Sequence, residues 1–290
     1  MSSIQIDELL DLARTQPARP GNWSLATDAG WLADLYTGPG VQSRVWRAPS
    51  GAVLGSAAVR VKHTVATVAV TSMLRPGAEA LWQEQRAWID TTLLGMPGDL
   101  PVQVLSESLT DAEAARWQSA GYQLIFEELV MEHALTSGRP ADVPLWPAGT
   151  TLLEWGPGAA VSSFEVYEAA FRERPGFPGW TRDEWIERMT GDEAFLAGAS
   201  LFARIDGVAA GYLVSAAGWV DQVGVIPVLR RRGLAGALVT EALARQRAHG
   251  HDTVHLHVNV NNPGAFATWR GLGFESVGRR GRFERNAVPR

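Results

Sequence analysis

The chain has 290 residues, 46% hydrophobic and 20% charged, a formal net charge of −5 at pH 7 and no cysteine. A single core rarely grows beyond about 250 to 300 residues, so two domains are expected; the acidic balance argues against nucleic acid as a bulk partner. Without cysteine there is no disulfide, thiolate metal site or Cys-linked acyl-enzyme, and with no apolar run of about 18 residues and no basic-then-apolar leader the reading is a soluble, cytoplasmic protein with no membrane partner.

Residues 5–14 read as a short amphipathic helix ended by Pro17, Pro20 and Gly21, and 28–36 as a second helix. Three strand-like runs follow at 42–48, 52–62 and 65–72, with turns at Ser50-Gly51 and Lys62-His63. Residues 78–94 form a helix, 102–105 a buried strand, 111–119 a helix and 122–135 two strands.

Residues 137–149, SGRPADVPLWPAG, are the best candidate for a linker, which divides the chain into domains 1–142 and 143–290. The order of elements then restarts: a strand at 150–155, helices at 160–172 and 181–189, and strands at 199–205 and 208–216 joined at Asp206-Gly207. The strand of 219–225, a helix from Gly233 to Gly250, a strand at 251–259, a short helix at 263–270 and further strands from Phe274 complete the half. Trp117-x-x-x-Gly121-Tyr122 recurs 152 positions later as Trp269-x-x-x-Gly273-Phe274, and the same offset pairs Ala115 with Ala267, Val102 with Val254 and Val104 with Leu256. A duplicated domain accounts for these matches.

The stretch 219–239, WVDQVGVIPVLRRRGLAGALV, concentrates the chemistry. A helix start presents unpaired N–H groups and the positive end of the macrodipole, and small residues at Gly233, Ala235 and Gly236 let an anion approach them. Three arginines at that end oppose the dipole and cost stability unless an anion arrives. The spacing Arg230-x-x-Gly233-x-Ala235 after Val225-x-Pro227 resembles the pyrophosphate loop of the GCN5-related N-acetyltransferase (GNAT) family, and Asn262-x-x-Ala265 followed by Trp269 and Gly273-Phe274 continues the likeness. The tandem layout is similar to that of mycothiol synthase. In the matching N-terminal stretch, Leu74-Arg75-Pro76-Gly77-Ala78-Glu79-Ala80 keeps small residues but has one Arg and an acid, so that half is expected to be structural or to wall the acceptor pocket.

The resemblance implies an α/β fold of the α+β type: two tandem GNAT-like domains, each a mixed, mostly antiparallel twisted sheet flanked by helices. It implies an acetyltransferase that moves an acetyl group from acetyl-CoA to the amine of a small molecule by direct attack, without a metal. On this reading Val223, Gly224 and Val225 splay from the neighbouring strand and bind the pantetheine arm and thioester oxygen. Arg230, Arg231, Arg232, Gly233, Leu234, Ala235 and Gly236 form the pyrophosphate loop, and Asn262, Ala265 and Trp269 complete the cofactor side. Two alternatives are a non-catalytic acyl-CoA-binding or partner-binding module and a peptide N-terminal acetyltransferase.

The attacking amine must lose a proton, and Asp221, two residues before the oxyanion donor, is the first choice of base, with Glu165, Glu168 and Glu173 behind it. An aspartate that caps a turn or pairs with an arginine is the plain alternative. Trp269 stands where many family members place a Tyr acid, and an indole N–H releases no proton at ordinary pH; Tyr167 and Tyr212 are the possible substitutes, each also readable as a packing residue. His255 and His257 share one side of a strand and suit a polar face more than a metal site. The loop Arg172–Trp180, RERPGFPGW, either grips a polar, ring-bearing amine or packs Phe177 and Trp180 on the helices beneath.

Overall fold

The computed structural model describes residues 4–16, 29–135, 143–174, 177–191 and 193–286. The prolines and glycine expected to end the first helix, residues 137–142 of the proposed linker, and Pro175 and Gly176 of the acceptor loop fall outside these residues. In chain order the elements begin with α1 (Ile6–Arg14), α2 (Ala29–Thr37), β1 (Gln42–Arg47), β2 (Val53–Lys62), β3 (Thr67–Leu74), α3 (Trp82–Leu93), β4 (Val102–Ser106), α4 (Asp111–Ser119) and β5 (Gln123–Ala134). There follow β6 (Thr150–Glu154), α5 (Pro157–Phe171), α6 (Arg182–Thr190), β7 (Leu201–Ile205), β8 (Val208–Ala216) and β9 (Trp219–Val225). The last are α7 (Leu234–Ala248), β10 (Thr253–Asn259), α8 (Pro263–Gly271) and β11 (Glu275–Arg285).

Two compact units result, Met1–Val130 with Val277–Arg290, and Met131–Ser276. The closing strands therefore cross the unit boundaries, β5 at Val130 and β11 at Ser276. The two strands expected over 122–135 are one continuous strand, because QLIFEELVMEHA holds no Gly, Pro, Asn or Asp to turn the chain. The strands expected after Phe274 are likewise one, since Gly278 and Gly281 stay within the strand; at Gly281 a Cβ would lie 2.8 Å from Leu109 Cδ2, so this glycine marks a close approach rather than a turn.

In the first unit β1, β2 and β3 form the expected antiparallel meander, and β3 runs parallel to β4 after the α3 crossover. Residues 281–285 of β11 then pair antiparallel with β4, from Gly281↔Ser106 to Arg285↔Val102. One face buries Val59, Val70, Val104, Trp82, Ile89, Trp117 and Phe283. The other is covered by α1 and α2 through Leu9, Leu12, Leu32 and Tyr36. Helix α1 does this with apolar residues at 9, 12 and 13, one stripe of a 3.6-residue period.

In the second unit β6, β7, β8 and β9 are antiparallel neighbours, and β9 then runs parallel to β10 after the α7 crossover. The β7–β8 hairpin turns at Asp206 and Gly207, whose φ values of 49° and 82° are the left-handed pair that a two-residue loop requires. Helices α5 and α6 cover one sheet face with an aromatic cluster that contains Tyr167, Trp185, Phe202 and Tyr212. The stripe Leu234, Leu238, Val239 and Ala242 of α7 is buried, as its spacing predicts.

Both units end a helix in the same manner. Gly121 and Gly273 take φ values of 85° and 91°, and the N–H groups of Tyr122 and Phe274 each donate at 3.1 Å to the carbonyls of Trp117 and Trp269. This helix–Gly–aromatic–strand ending is the repeat that the sequence shows.

Candidate functional site

Strand β9 has two different edges. Toward β8 the register runs Val225↔Gly211, Gly224↔Tyr212, Val223↔Leu213 and Gln222↔Val214, then jumps to Val220↔Ser215. Asp221 is the extra residue of this bulge and is exposed. Bulges re-aim side chains and recur beside active sites. The adjacent polar pair Asp221-Gln222 breaks the alternation of the strand, and that was the signal in the sequence for the bulge.

Toward β10 the ladder holds only Trp219↔His255 and Val220↔Leu256. From Gln222 to Val225 the β10-facing backbone groups have no partner in that ladder. Gly224 is needed here for space: a Cβ would lie 2.6 Å from Tyr212 Cε1 and 3.1 Å from Phe171 Cε2. On the opposite face a Cβ at Gly211 would meet Leu234 Cδ2 at 2.9 Å, which lets α7 sit close against β8.

Helix α7 begins at that opening. Its cap residue Gly233 has φ 87°, and no side chain caps its first turn, in contrast to Thr110 on α4 and the Thr181–Glu184 capping box on α6. Arg231 also has positive φ, 64°, an uncommon conformation for a residue with a Cβ. Leu234 is buried, whereas Ala235 and Gly236 are half-buried.

The three arginines do different things. Arg230 donates from Nε to the Val225 carbonyl at 3.2 Å and from Nη2 to the Ala170 carbonyl at 2.8 Å, tying the end of β9 to α5. Arg231 and Arg232 are exposed. A Cβ built on Gly264 would lie 3.6 Å from Arg231 Nη1 and 4.0 Å from Asn262 Oδ1, so the start of α8 shares this corner with the loop. Asn262 Oδ1 accepts from the Ala265 N–H at 3.1 Å and is the α8 cap. Trp269 lies in the core with 4% of its surface exposed.

The candidate acids and bases are scattered. Tyr212 donates to Gln222 Oε1, which also accepts from Trp185 Nε1 at 3.0 Å; burial holds the Tyr212 phenol well above its usual range. Burial also raises Tyr167, which stacks on Trp185 and Trp180. Glu165 and Glu173 are exposed, and Glu168 pairs with Arg172 at 3.0 Å. Phe177 and Trp180 pack on Tyr167, and Arg188 lies over the Trp180 ring at 4.7 Å. His255 Nε2 is 2.9 Å from Glu132 Oε2, and the Trp219 ring lies tilted beside both His255 and His257. Among the described residues no group of three or more His, Asp or Glu is placed to hold a metal, and no helix is long and apolar enough to cross a membrane.

Residues 163–274 match the acetyltransferase (GNAT) family. A mycothiol acetyltransferase of Mycobacterium sp. (strain JLS) is 30% identical over 192 residues, 61% of this chain and 62% of that protein. A mycothiol acetyltransferase of Mycolicibacterium vanbaalenii is 34% identical over 183 residues, 58% of this chain and 59% of that protein. In both, the match spans less than two thirds of the relative's length. A GCN5-related N-acetyltransferase from Sphaerobacter thermophilus superposes with a TM-score of 0.66 at 24% identity, covering 86% of this chain and 81% of that one. A tandem GNAT protein of the clavulanic acid biosynthesis pathway gives 0.63 at 21% identity, with coverages of 98% and 95%. The likeness to the acetyltransferase (GNAT) family thus lies in residues 163–274, and the fold of the chain is similar to that of a tandem GNAT protein, with two GNAT-like domains.

Proposed function

We propose that the Met131–Ser276 unit transfers an acetyl group from acetyl-CoA to an amine of a small molecule by direct attack. The observation that carries this reading is the loss of β10 pairing along Gln222–Val225 beside the uncapped start of α7. The loop fits an acidic group: a Cβ on Gly233 would meet nothing within 4 Å, and one on Gly236 would meet only Thr268 Cγ2, at 3.9 Å. First-turn N–H groups of α7, with Arg231 and Arg232, would hold the pyrophosphate. When bound, acetyl-CoA supplies an activated thioester.

The backbone of Val223–Val225 then provides fixed donors for the pantetheine arm and for the oxyanion that develops on the thioester carbonyl; one such donor is worth about 3 to 4 kcal/mol in a catalytic site. Asp221, directly or through a water, takes the proton that the amine loses as it forms the new C–N bond and the C–S bond breaks. Buried Trp269 and Tyr212 supply no proton, and none is needed, because a thiol of pKa about 8.5 departs as thiolate with hydrogen-bond help. Phe177, Trp180 and Arg188, at the edge of the aromatic cluster, suit a ring-bearing polar acceptor. The mycothiol acetyltransferase relatives support a small-molecule acceptor over a peptide.

The domain halves 1–142 and 143–290 are proposed to descend from one duplicated unit, of which the N-terminal copy lost its anion loop. Calorimetry tests the loop assignment: the full chain should bind acetyl-CoA, and Arg231→Ala with Arg232→Ala should weaken binding at least about tenfold. Unchanged affinity in the double variant refutes it.

A further inference from the structure

The first unit has an opening of its own. β3 and β4 pair from Val68↔Val102 to Thr71↔Leu105, and a cavity of about 300 Å³ lies beyond, between residues 71–74 and 105–108 and the starts of α3 and α4. That volume is at the lower end for small-molecule pockets. Trp31, Met73, Trp82 and Trp117 give it an apolar wall, and Glu107 and Glu113 line it with Arg116.

Its position in the unit corresponds to the β9–β10 opening, but its charge is reversed. At the start of the α3 segment, where α7 has arginines, Glu79 Oε1 accepts from the Gly77 N–H at 3.0 Å. The Glu79 backbone N–H also donates to this carboxylate, and these bonds hold it below its usual range. The backbone donors that would receive a phosphate are thus filled by a fixed anion of the chain itself. Of the ionisable residues lining the cavity, Glu79, Glu107 and Glu113 are acids and Arg116 is the one base.

The inner carboxyls are short of cations. Glu107, its side chain 9% exposed, is 4.0 Å from Arg280, which instead binds Glu128 at 2.7 Å. Glu113 Oε2 accepts from Ser106 Oγ at 2.8 Å. Burial pushes both carboxyls up, against the opposing pull of Arg280 and Arg116. A buried carboxylate in this state gains from an added positive charge, and aromatic walls add to the attraction.

We propose that this cavity binds a small organic ammonium ion, with its charge against Glu107 and Glu113 and an apolar or aromatic body against Trp82 and Trp117, and that it rejects nucleotide phosphates. The test uses three indoles of nearly equal size titrated into the full chain at neutral pH: cationic tryptamine, neutral tryptophol and anionic indole-3-acetate. Tryptamine should bind at least about tenfold more tightly than tryptophol, with indole-3-acetate weaker still. Glu107→Gln with Glu113→Gln should reduce tryptamine to the level of tryptophol. Ala112→Trp, on the exposed first turn of α4 at the cavity wall, should block all three in a folded protein. If the double Gln variant does not fold, the charge order on the unmodified chain and the Ala112→Trp result decide the matter. No tryptamine binding, equal affinity for the three compounds, or tryptamine binding that survives Ala112→Trp overturns the proposal.

Discussion

Arg230 reaches the Ala170 carbonyl with Nη2 at 2.8 Å while its Nε holds the Val225 carbonyl, so this arginine joins α5 to the end of β9. Its neighbours Arg231 and Arg232 stay exposed. Arg230→Ala should therefore lower stability by about 1 to 2 kcal/mol, a charged-donor value discounted for exposure. Arg231→Ala with Arg232→Ala should not lower the melting temperature of the unliganded protein, since it relieves charge opposed to the α7 dipole, and should weaken acetyl-CoA binding. Thermal melts beside calorimetry separate the roles; equal melting losses in both variants would contradict the division.

Gly224 lies opposite Tyr212 with no room for a methyl group. Tyr212 is fixed by Gln222 and by Trp185 beside it, so it yields little space. Gly224→Ala should cost about 1 to 3 kcal/mol by overpacking, read as a lower denaturant midpoint with an unchanged slope. An unaltered midpoint would show that the aromatic cluster is looser than this geometry.

Asp221 is exposed on a bulge, so its replacement costs little in packing. Asp221→Asn should reduce turnover by about 10² to 10⁴, the usual range for a general base, while acetyl-CoA affinity stays constant. The residual rate should rise with pH, as solvent removes the proton that Asp221 no longer takes. A wild-type rate across neutral pH rules the residue out.

All four tyrosines of the chain have phenols raised by burial: Tyr122 is pushed up to about 12, and Tyr36, Tyr167 and Tyr212 also lie above their usual range. In the unfolded chain they ionise near about 10. The folded state therefore keeps protons that the unfolded state has lost, so this stabilisation is complete below pH about 10 and disappears as pH rises through the folded values, on the order of 2 kcal/mol for Tyr122 alone. Near-ultraviolet absorbance should show the phenolate transitions of the folded protein displaced above pH about 10. A reversible phenolate titration near pH 10 in the folded protein would contradict this account.

Much of the frame was legible because local chemistry dictated it. Asp206-Gly207 turns the hairpin, Gly121 and Gly273 end their helices before an aromatic residue, and Gly233 stands at the start of α7. The splaying of Val223–Val225 from the neighbouring strand was expected from the family likeness alone. Side-chain direction was less legible. Nothing in three consecutive arginines distinguishes the one that turns back to the Ala170 carbonyl from the two that face solvent. Nor did the spacing show that Gln222, between two candidate site residues, is held by Tyr212 and Trp185. The cavity of the first unit was missed for a related reason: Glu79, Glu107 and Glu113 lie on three separate segments, and only the fold brings them to one wall.

The central claim is acetyl transfer by the second unit, and the absence of cysteine makes it directly measurable, because any thiol that appears must be released CoA. Incubated with acetyl-CoA and a panel of small amines, the full chain should release thiol faster with at least one amine than without, in step with formation of the N-acetyl product, and Asp221→Asn should suppress that increase. Tight acetyl-CoA binding with no thiol release above the amine-free rate for any amine would contradict the account and leave an acyl-CoA-binding protein in its place.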